Sequence, residues 1–202
     1  MTRAICFLSA VAMRREPSDR AEMVNQLLQG DTFTILERQD KWSLVKCDWD
    51  GYEGWVDNKQ WRPFDGEPNM RVGNETSPAS VAERQYLDAP YLWGGRCVMG
   101  IDCSGLTQVC FRACGQRLLR DASQQITQGF PVPSLDKAQR DDLCFFHNEQ
   151  GRIIHVGIYM GQGRIIHASG QVRIDTMTPE GILNSDTMTL THRLHSLRRI
   201  TT

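Results

Sequence analysis

The sequence has no apolar run approaching the ~20 residues a membrane-spanning helix needs, which sets aside a helical membrane protein. It has no basic cluster either: Lys and Arg are scattered and the formal net charge is −1, so the electrostatic footprint of a nucleic-acid binder is missing. None of its 7 cysteines stands in a Cys-x-x-Cys pair, which argues against zinc-ribbon and thioredoxin-like readings. An odd cysteine count leaves at least one thiol unpaired within the chain and fits a reducing compartment. Internal repeats and low-complexity tracts are also lacking. What is there, 40% hydrophobic and 23% charged residues over 202 positions, is a globular composition with room for one large or two small domains.

Ala4–Met13 is apolar after Arg3, and Ala10-Val11-Ala12 mimics a signal-peptidase site. A signal segment usually runs ~15–30 residues, so the stretch reads as a buried first strand and the chain as cytoplasmic. Across residues 1–64, short β-rich stretches alternate with turn signals. Thr32–Leu36 follows Gly30-Asp31, Trp42–Cys47 follows a polar turn, and Gly54-Trp55-Val56 follows Asp50-Gly51. This pattern predicts a small β-barrel. Residues 65–77, polar and punctuated by Gly and Pro, read as a linker.

From residue 78 onward the chain predicts helices first and an antiparallel sheet second, an α+β pattern. Ser77-Pro78 is a helix start running to about Leu87. A glycine-rich loop then leads into Ile101-Asp102-Cys103-Ser104-Gly105. Leu106, Val109, Cys110 and Ala113 share one helical face, and Gly115 is the stop. Leu143–Phe146 and Ile153–Met160 read as strands, Gly161–Gly163 as a hairpin turn, Arg164–Ala168 as the returning strand, and Leu190–Ile200 as a final extended segment.

Cys103 therefore begins a helix. The positive end of the helix dipole, and a histidine able to become imidazolium, are the two means of lowering a thiol pKa from ~8.5. The Cys103 amide would also point where an oxyanion forms. Along Ile153–Met160, Ile154, Val156 and Ile158 share a buried face, while His155 lies on the other with Gly157 keeping that surface open. A turn at Gly161–Gly163 sets His155 and His167 roughly opposite each other. One can serve as base while the other fixes its tautomer. The remaining cysteines read as packing residues. His147, His192 and His195 lack a partner pattern and read as structural or exposed.

Three stretches together resemble the NlpC-type cell-wall peptidases, a papain-like cysteine peptidase family: Pro90-Tyr91-Leu92-Trp93-Gly94-Gly95, Gly100-Ile101-Asp102-Cys103-Ser104-Gly105-Leu106, and His155-Val156-Gly157-Ile158-Tyr159 with His167-Ala168-Ser169. The resemblance covers residues ~79–202. Arg20–Asp31 and Asp50–Val56 resemble a bacterial SH3-like domain. The implied architecture is an SH3-like domain over 1–64, a linker over 65–77 and a peptidase domain over 78–202. The family implies Cys103 as nucleophile, His155 as base, His167 as its orienting partner and the Tyr91 hydroxyl at the oxyanion site, with no metal or cofactor. Members pairing these two domains cleave γ-D-glutamyl-L-diamino acid bonds in murein peptides. In them the SH3-like domain closes one end of the cleft, so that only a free N-terminal L-alanine fits. By that resemblance Glu22 and Tyr52 hold the substrate ammonium, Trp93, Asp102 and Ser104 line the cleft, and Asp121 contacts the substrate near its amine. The implied partner is a murein peptide such as L-Ala-γ-D-Glu-diamino acid, processed in peptidoglycan recycling. The chain departs from its relatives at Ala122, often serine, and at Arg140-Asp141-Asp142, where Pro-Gly-Asp is usual. A cell-wall amidase or acyltransferase sharing the same Cys–His machinery, and a wall-binding module with a dead site, are the alternative readings.

Overall fold

The structure, a computed structural model, describes residues 2–70 and 72–201. Its first sheet contains β1 (Arg3–Cys6), β2 (Ala10–Arg14), β3 (Met23–Leu28), β4 (Thr32–Arg38), β5 (Trp42–Cys47), β6 (Glu53–Asp57) and β7 (Trp61–Pro63). They pair antiparallel in the order β3-β2-β6-β5-β4-β1-β7. Ala4, Cys6, Val11, Met13, Leu27, Phe33, Val45 and Val56 fill its core. The apolar run expected to form one strand forms two, β1 and β2, because the chain bends at Phe7–Ser9. Each half then turns alternate residues inward: Ala4 and Cys6, Val11 and Met13. At Asp50-Gly51 the turn forms as its sequence predicts, with Gly51 at φ +73° and Asp50 Oδ1 accepting from Tyr52 N at 3.0 Å.

The described residues of 65–77 carry no regular secondary structure, yet they are tied at both ends. Asn69 N donates to Thr32 Oγ1 at 2.8 Å, and Gly73 N and Glu75 N donate to the carbonyls of Arg112 and Ala113. Next comes α1 (Pro78–Tyr86), with Ser77 as its N-cap and Pro78 in its first turn. The short pair β8 (Arg96–Cys97) and β9 (Gly100–Ile101) leads into α2 (Cys103–Ala113) and the single-turn α3 (Ala122–Gln125).

The second sheet holds β10 (Phe130–Val132), β11 (Leu143–His147), β12 (Ile153–Gly161), β13 (Arg164–Ser169), β14 (Gln171–Thr178), β15 (Gly181–Leu183) and β16 (Leu190–Arg199). The expected antiparallel sheet closes on itself. β16 pairs with both β11 and β15, so β11 to β16 form a six-stranded barrel, with β10 added outside on β16. Phe146, Tyr159, Ile165, Met177, Ile182 and Leu197 pack one face of this sheet. On the other face, Val156, Ile158, Met160 and Ile166 pack with Leu106, Cys110 and Phe111 of α2 and with Val81 and Ala82 of α1. That two-sided burial explains why β12 and β13 read as nearly continuous apolar runs.

The unusual turn Arg140-Asp141-Asp142 stitches the helices to the sheet. Asp141 adopts φ +77°, a conformation favouring glycine. Its carboxylate accepts from Ser77 Oγ and Ala79 N, both at 2.8 Å, capping α1 from across the fold. No helix among the described residues is long and apolar enough to cross a membrane.

Candidate active site

Asp102 sets the start of α2. Its Oδ1 accepts from Gly105 N at 2.6 Å as the N-cap and its Oδ2 from Gly94 N at 2.8 Å, joining the glycine-rich loop to the helix. Gly94 sits at φ +77°, and a Cβ there would lie 2.6 Å from the Met23 carbonyl oxygen, so only glycine lets this loop lie against β3. Cys103, the first residue of α2, is 7% exposed. Its sulfur lies near the backbone amides of Val156 and Ser104, which places it beside β12 at the residue following His155.

Burial pushes the Cys103 thiol up to about 12, reinforced by the Asp102 carboxylate and only partly opposed by the Val156 amide, Arg120 and the Ser104 amide. Desolvation thus works against the lowering expected from the helix terminus and outweighs it. His155 is held neutral by burial first, then by His167 and His192, all of which depress its pKa well below the usual imidazole range.

His155 and His167 do meet, with His155 Nε2 2.8 Å from His167 Nδ1. They are not directly opposite. The register pairs His167 with Gly157, two residues along from His155 on the same face. A Cβ on Gly157 would come within 3.0 Å of His167 Cβ, so the glycine makes room for the diagonal contact instead of leaving an open surface. Both rings are buried, at 5% and 1% exposure. Ile154, expected to be buried, is 53% exposed. It is the extra residue of a bulge, unpaired between Ile153↔His147 and His155↔Phe146.

His192 belongs with this cluster, contrary to its reading as structural or exposed. Its ring stacks on His155 with centroids 4.2 Å apart, because β16 closes the barrel. Burial, helped by His167 and opposed by Asp175, lowers it to about 4. The sequence reading also missed Asp175. Its Oδ2 lies 3.0 Å from His167 Nε2, and the carboxylate accepts from Arg173 Nε, Arg173 Nη2 and Ser185 N. A hairpin about Gly170 sets Asp175 across from Ile165, on the same face as His167, so strand alternation from the turn could have found it.

A cavity of about 350 Å³ opens beside Cys103. Glu22, Tyr52, Trp93, Asp102, Cys103, Ser104 and Asp121 all line it, as do Arg15, Ala122 and Ile154. Tyr91, His155 and His167 are not part of its lining. Tyr91 lies within electrostatic range of Cys103, and its phenol is pushed up to about 12 by burial first and that neighbour second. Glu22 Oε1 accepts from Trp93 Nε1 at 2.7 Å, and Glu22 Oε2 pairs with Arg15 at 2.8 Å. Asp121 is raised by burial, against the lowering influence of Arg120 and the nearby Tyr52 hydroxyl.

Asp102 and Ser104 line the cavity with their polar atoms already engaged. Arg120, which the sequence did not single out, grips Asp102 with two nitrogens, donates to Ser104 Oγ at 2.9 Å and reaches Asn25 Oδ1 of β3 at 2.7 Å. Polar bonds from the first sheet and its turns to β8 and α2 recur nearby. Arg96 bonds Gln26 and Asp31, Arg112 bonds Asp31, and Gln108 bonds Asp50. The first 64 residues are thus fixed against the second part where the cavity lies.

Residues 88–191 match the NlpC/P60 family, and residues 13–60 match the bacterial dipeptidyl-peptidase SH3 domain. The chain is 45% identical over 85 residues to a γ-D-glutamyl-L-lysine dipeptidyl-peptidase of Bacillus subtilis, covering 41% of this chain and 28% of that one. It is 41% identical over 86 residues to dipeptidyl-peptidase 6 of Lysinibacillus sphaericus, covering 42% and 29% respectively. In both cases the matched region spans less than a third of the relative's length. Among solved structures, an NlpC/P60 family protein from Bacillus cereus superposes with a TM-score of 0.55 at 21% identity, covering 98% of this chain and 63% of that one. NlpC2 from Trichomonas vaginalis superposes at 0.53 with 22% identity, covering 100% and 74%. At such identities these structures establish a shared fold.

Proposed function

Since the chain belongs to the NlpC/P60 family, we propose that it is a cysteine peptidase hydrolysing the γ-D-glutamyl-L-diamino acid bond of murein peptides with a free N-terminal L-alanine. The observation that carries this reading is the placement of Cys103 at a helix start beside the strand that bears His155, a histidine hydrogen-bonded to His167. That is the papain-like logic of a nucleophile on a helix and a base on a sheet. In the proposed division, residues 1–64 form an SH3-like domain, 65–77 a linker and 78–202 the peptidase domain.

Thiol and imidazole are both neutral in the free chain, so proton transfer accompanies attack. His155 takes the Cys103 proton as sulfur bonds to the γ-carbonyl carbon of D-glutamate. The Cys103 amide and the Tyr91 hydroxyl receive the oxyanion. His155 then returns the proton to the leaving amine of the diamino acid, and a thioester remains. Water, deprotonated by His155, attacks the thioester carbonyl; the C–S bond breaks, His155 returns the proton to the Cys103 sulfur, and L-Ala-D-Glu leaves.

Specificity comes from the far end of the cavity. Glu22, Tyr52 and Asp121 present oxygen atoms to the substrate ammonium, which needs such partners once it leaves water. The Glu22–Trp93 bond ties the segment before β3 to the glycine-rich loop and closes that end, which suits short released peptides, as recycling requires, over intact wall. Incubating L-Ala-γ-D-Glu-diaminopimelate with the protein and following L-Ala-D-Glu release tests the reading. Cys103→Ala should abolish turnover, and a variant that still cleaves the peptide overturns it.

A further inference from the structure

Resting on the reading just given, we propose that Asp175 is a positioning residue that sets the proton on the correct nitrogen of His155 through His167. A carboxylate only accepts, so Asp175 Oδ2 at 3.0 Å requires a proton on His167 Nε2. In a neutral ring His167 Nδ1 is then bare and can only accept. The 2.8 Å contact to His155 Nε2 therefore requires the proton on that nitrogen. His155 is left with Nδ1 as its one basic nitrogen, able to take the Cys103 proton. Had the relay run the other way, Nδ1 would carry a proton and His155 could not act as the base.

The surroundings of Asp175 hold it to this task. Its side chain is 1% exposed. Arg173 Nη2 and Ser185 N donate to Oδ1, and Arg173 Nε shares Oδ2 with His167. Burial alone would raise the carboxyl, but these donors hold it well below the usual carboxylate range, so it stays ionised and acceptor-only. Asp186, exposed, pairs with the same Arg173 and braces it from the solvent side.

Asp175→Asn puts this to the test with almost no change of volume. With its oxygen at the Oδ1 position the amide keeps Ser185 N and Arg173 Nη2 as donors and sets its NH2 toward His167 and the single fixed donor Arg173 Nε, whereas the opposite rotamer would set the NH2 against two donors that cannot turn acceptor. His167 Nε2 must then accept, its proton moves to Nδ1, and His155 is driven to the Nδ1–H form. Histidine tautomers read by 15N chemical shifts in the wild-type protein should show His155 and His167 both as Nε2–H, and Asp175→Asn should convert both to Nδ1–H. Turnover of L-Ala-γ-D-Glu-diaminopimelate should fall about 100-fold or more with KM changed less than about threefold, in line with the roughly 10⁴-fold loss when the aspartate of a serine-protease triad is similarly replaced. A wild-type His155 protonated on Nδ1 overturns the proposal whether or not the variant folds. So does an Asp175→Asn enzyme with full turnover. Failure of the wild-type protein to cleave the peptide, with the tautomers as stated, overturns the proposed function and leaves the relay standing.

Discussion

Arg120 lies against Asp102 as a two-pronged ion pair, Nη1 to Oδ1 at 3.0 Å and Nη2 to Oδ2 at 2.6 Å, with only 1% and 7% of the two side chains exposed. The guanidinium is among the largest fully buried side chains of the protein and spans from β3 to the residue preceding Cys103. Replacing Arg120 by Met strands the Asp102 carboxylate without its counter-ion, which should cost about 3–5 kcal/mol. Chemical denaturation would measure this. Adding Asp102→Asn to Arg120→Met should recover part of the loss, and a single variant within 1 kcal/mol of wild type would refute a structural ion pair.

Gly157 should tolerate no side chain. A Cβ there meets Ile165 Cδ1 at 2.8 Å and His167 Cβ at 3.0 Å. Gly157→Ala should cost about 1–3 kcal/mol of stability through overpacking. By pushing His167 off its diagonal it should also lower kcat at least tenfold. Peptide turnover beside a melting curve separates the two effects.

Arg15 and the substrate ammonium compete for Glu22 at the amine end. Arg15 already neutralises Glu22 at 2.8 Å, so an incoming ammonium must displace or share it. Glu22→Gln should raise KM for the free-amine peptide about tenfold or more, roughly one lost charge-assisted bond. Arg15→Ala should leave KM unchanged or lower it. N-acetylated substrate should be refused by all three proteins, and its efficient cleavage would remove Glu22 and Tyr52 from substrate reading.

The thiol should be sluggish toward alkylation in the absence of substrate. With Cys103 raised to about 12, its thiolate is scarce at neutral pH compared with an ordinary thiol near 8.5. Iodoacetamide labelling followed by mass spectrometry should be slow near pH 6 and accelerate steadily with pH. Rapid labelling near pH 6 would mean that an imidazolium–thiolate pair outweighs burial.

Acid should weaken the fold before carboxylates titrate. His155 and His192 are neutral in the folded chain and protonate near 6.5 when unfolded, so their contribution is present above about 6.5 and lost as pH falls. The window for His192 runs from 6.5 down to about 4. Urea midpoints should drop across it, and His192→Asn should flatten part of the slope.

Sequence alone determined the local pieces. Ser77-Pro78 starts a helix because a hydroxyl caps it and proline fits its first turn. Cys103 begins another because Asp102 precedes it, and His155 and His167 share a hairpin because Gly161–Gly163 turns the chain. Each depends on neighbours a few residues away, so spacing carries the information. The tertiary structure decided what spacing could not. Barrel closure through β16 brings His192 onto His155 from far along the chain, and the docking of β3 beside the start of α2 places Arg120, from the segment after α2, between Asn25 and Asp102. Burial is the clearest case: a helix terminus predicts an acidic Cys103, but desolvation depends on everything packed around the sulfur, and that sum goes the other way.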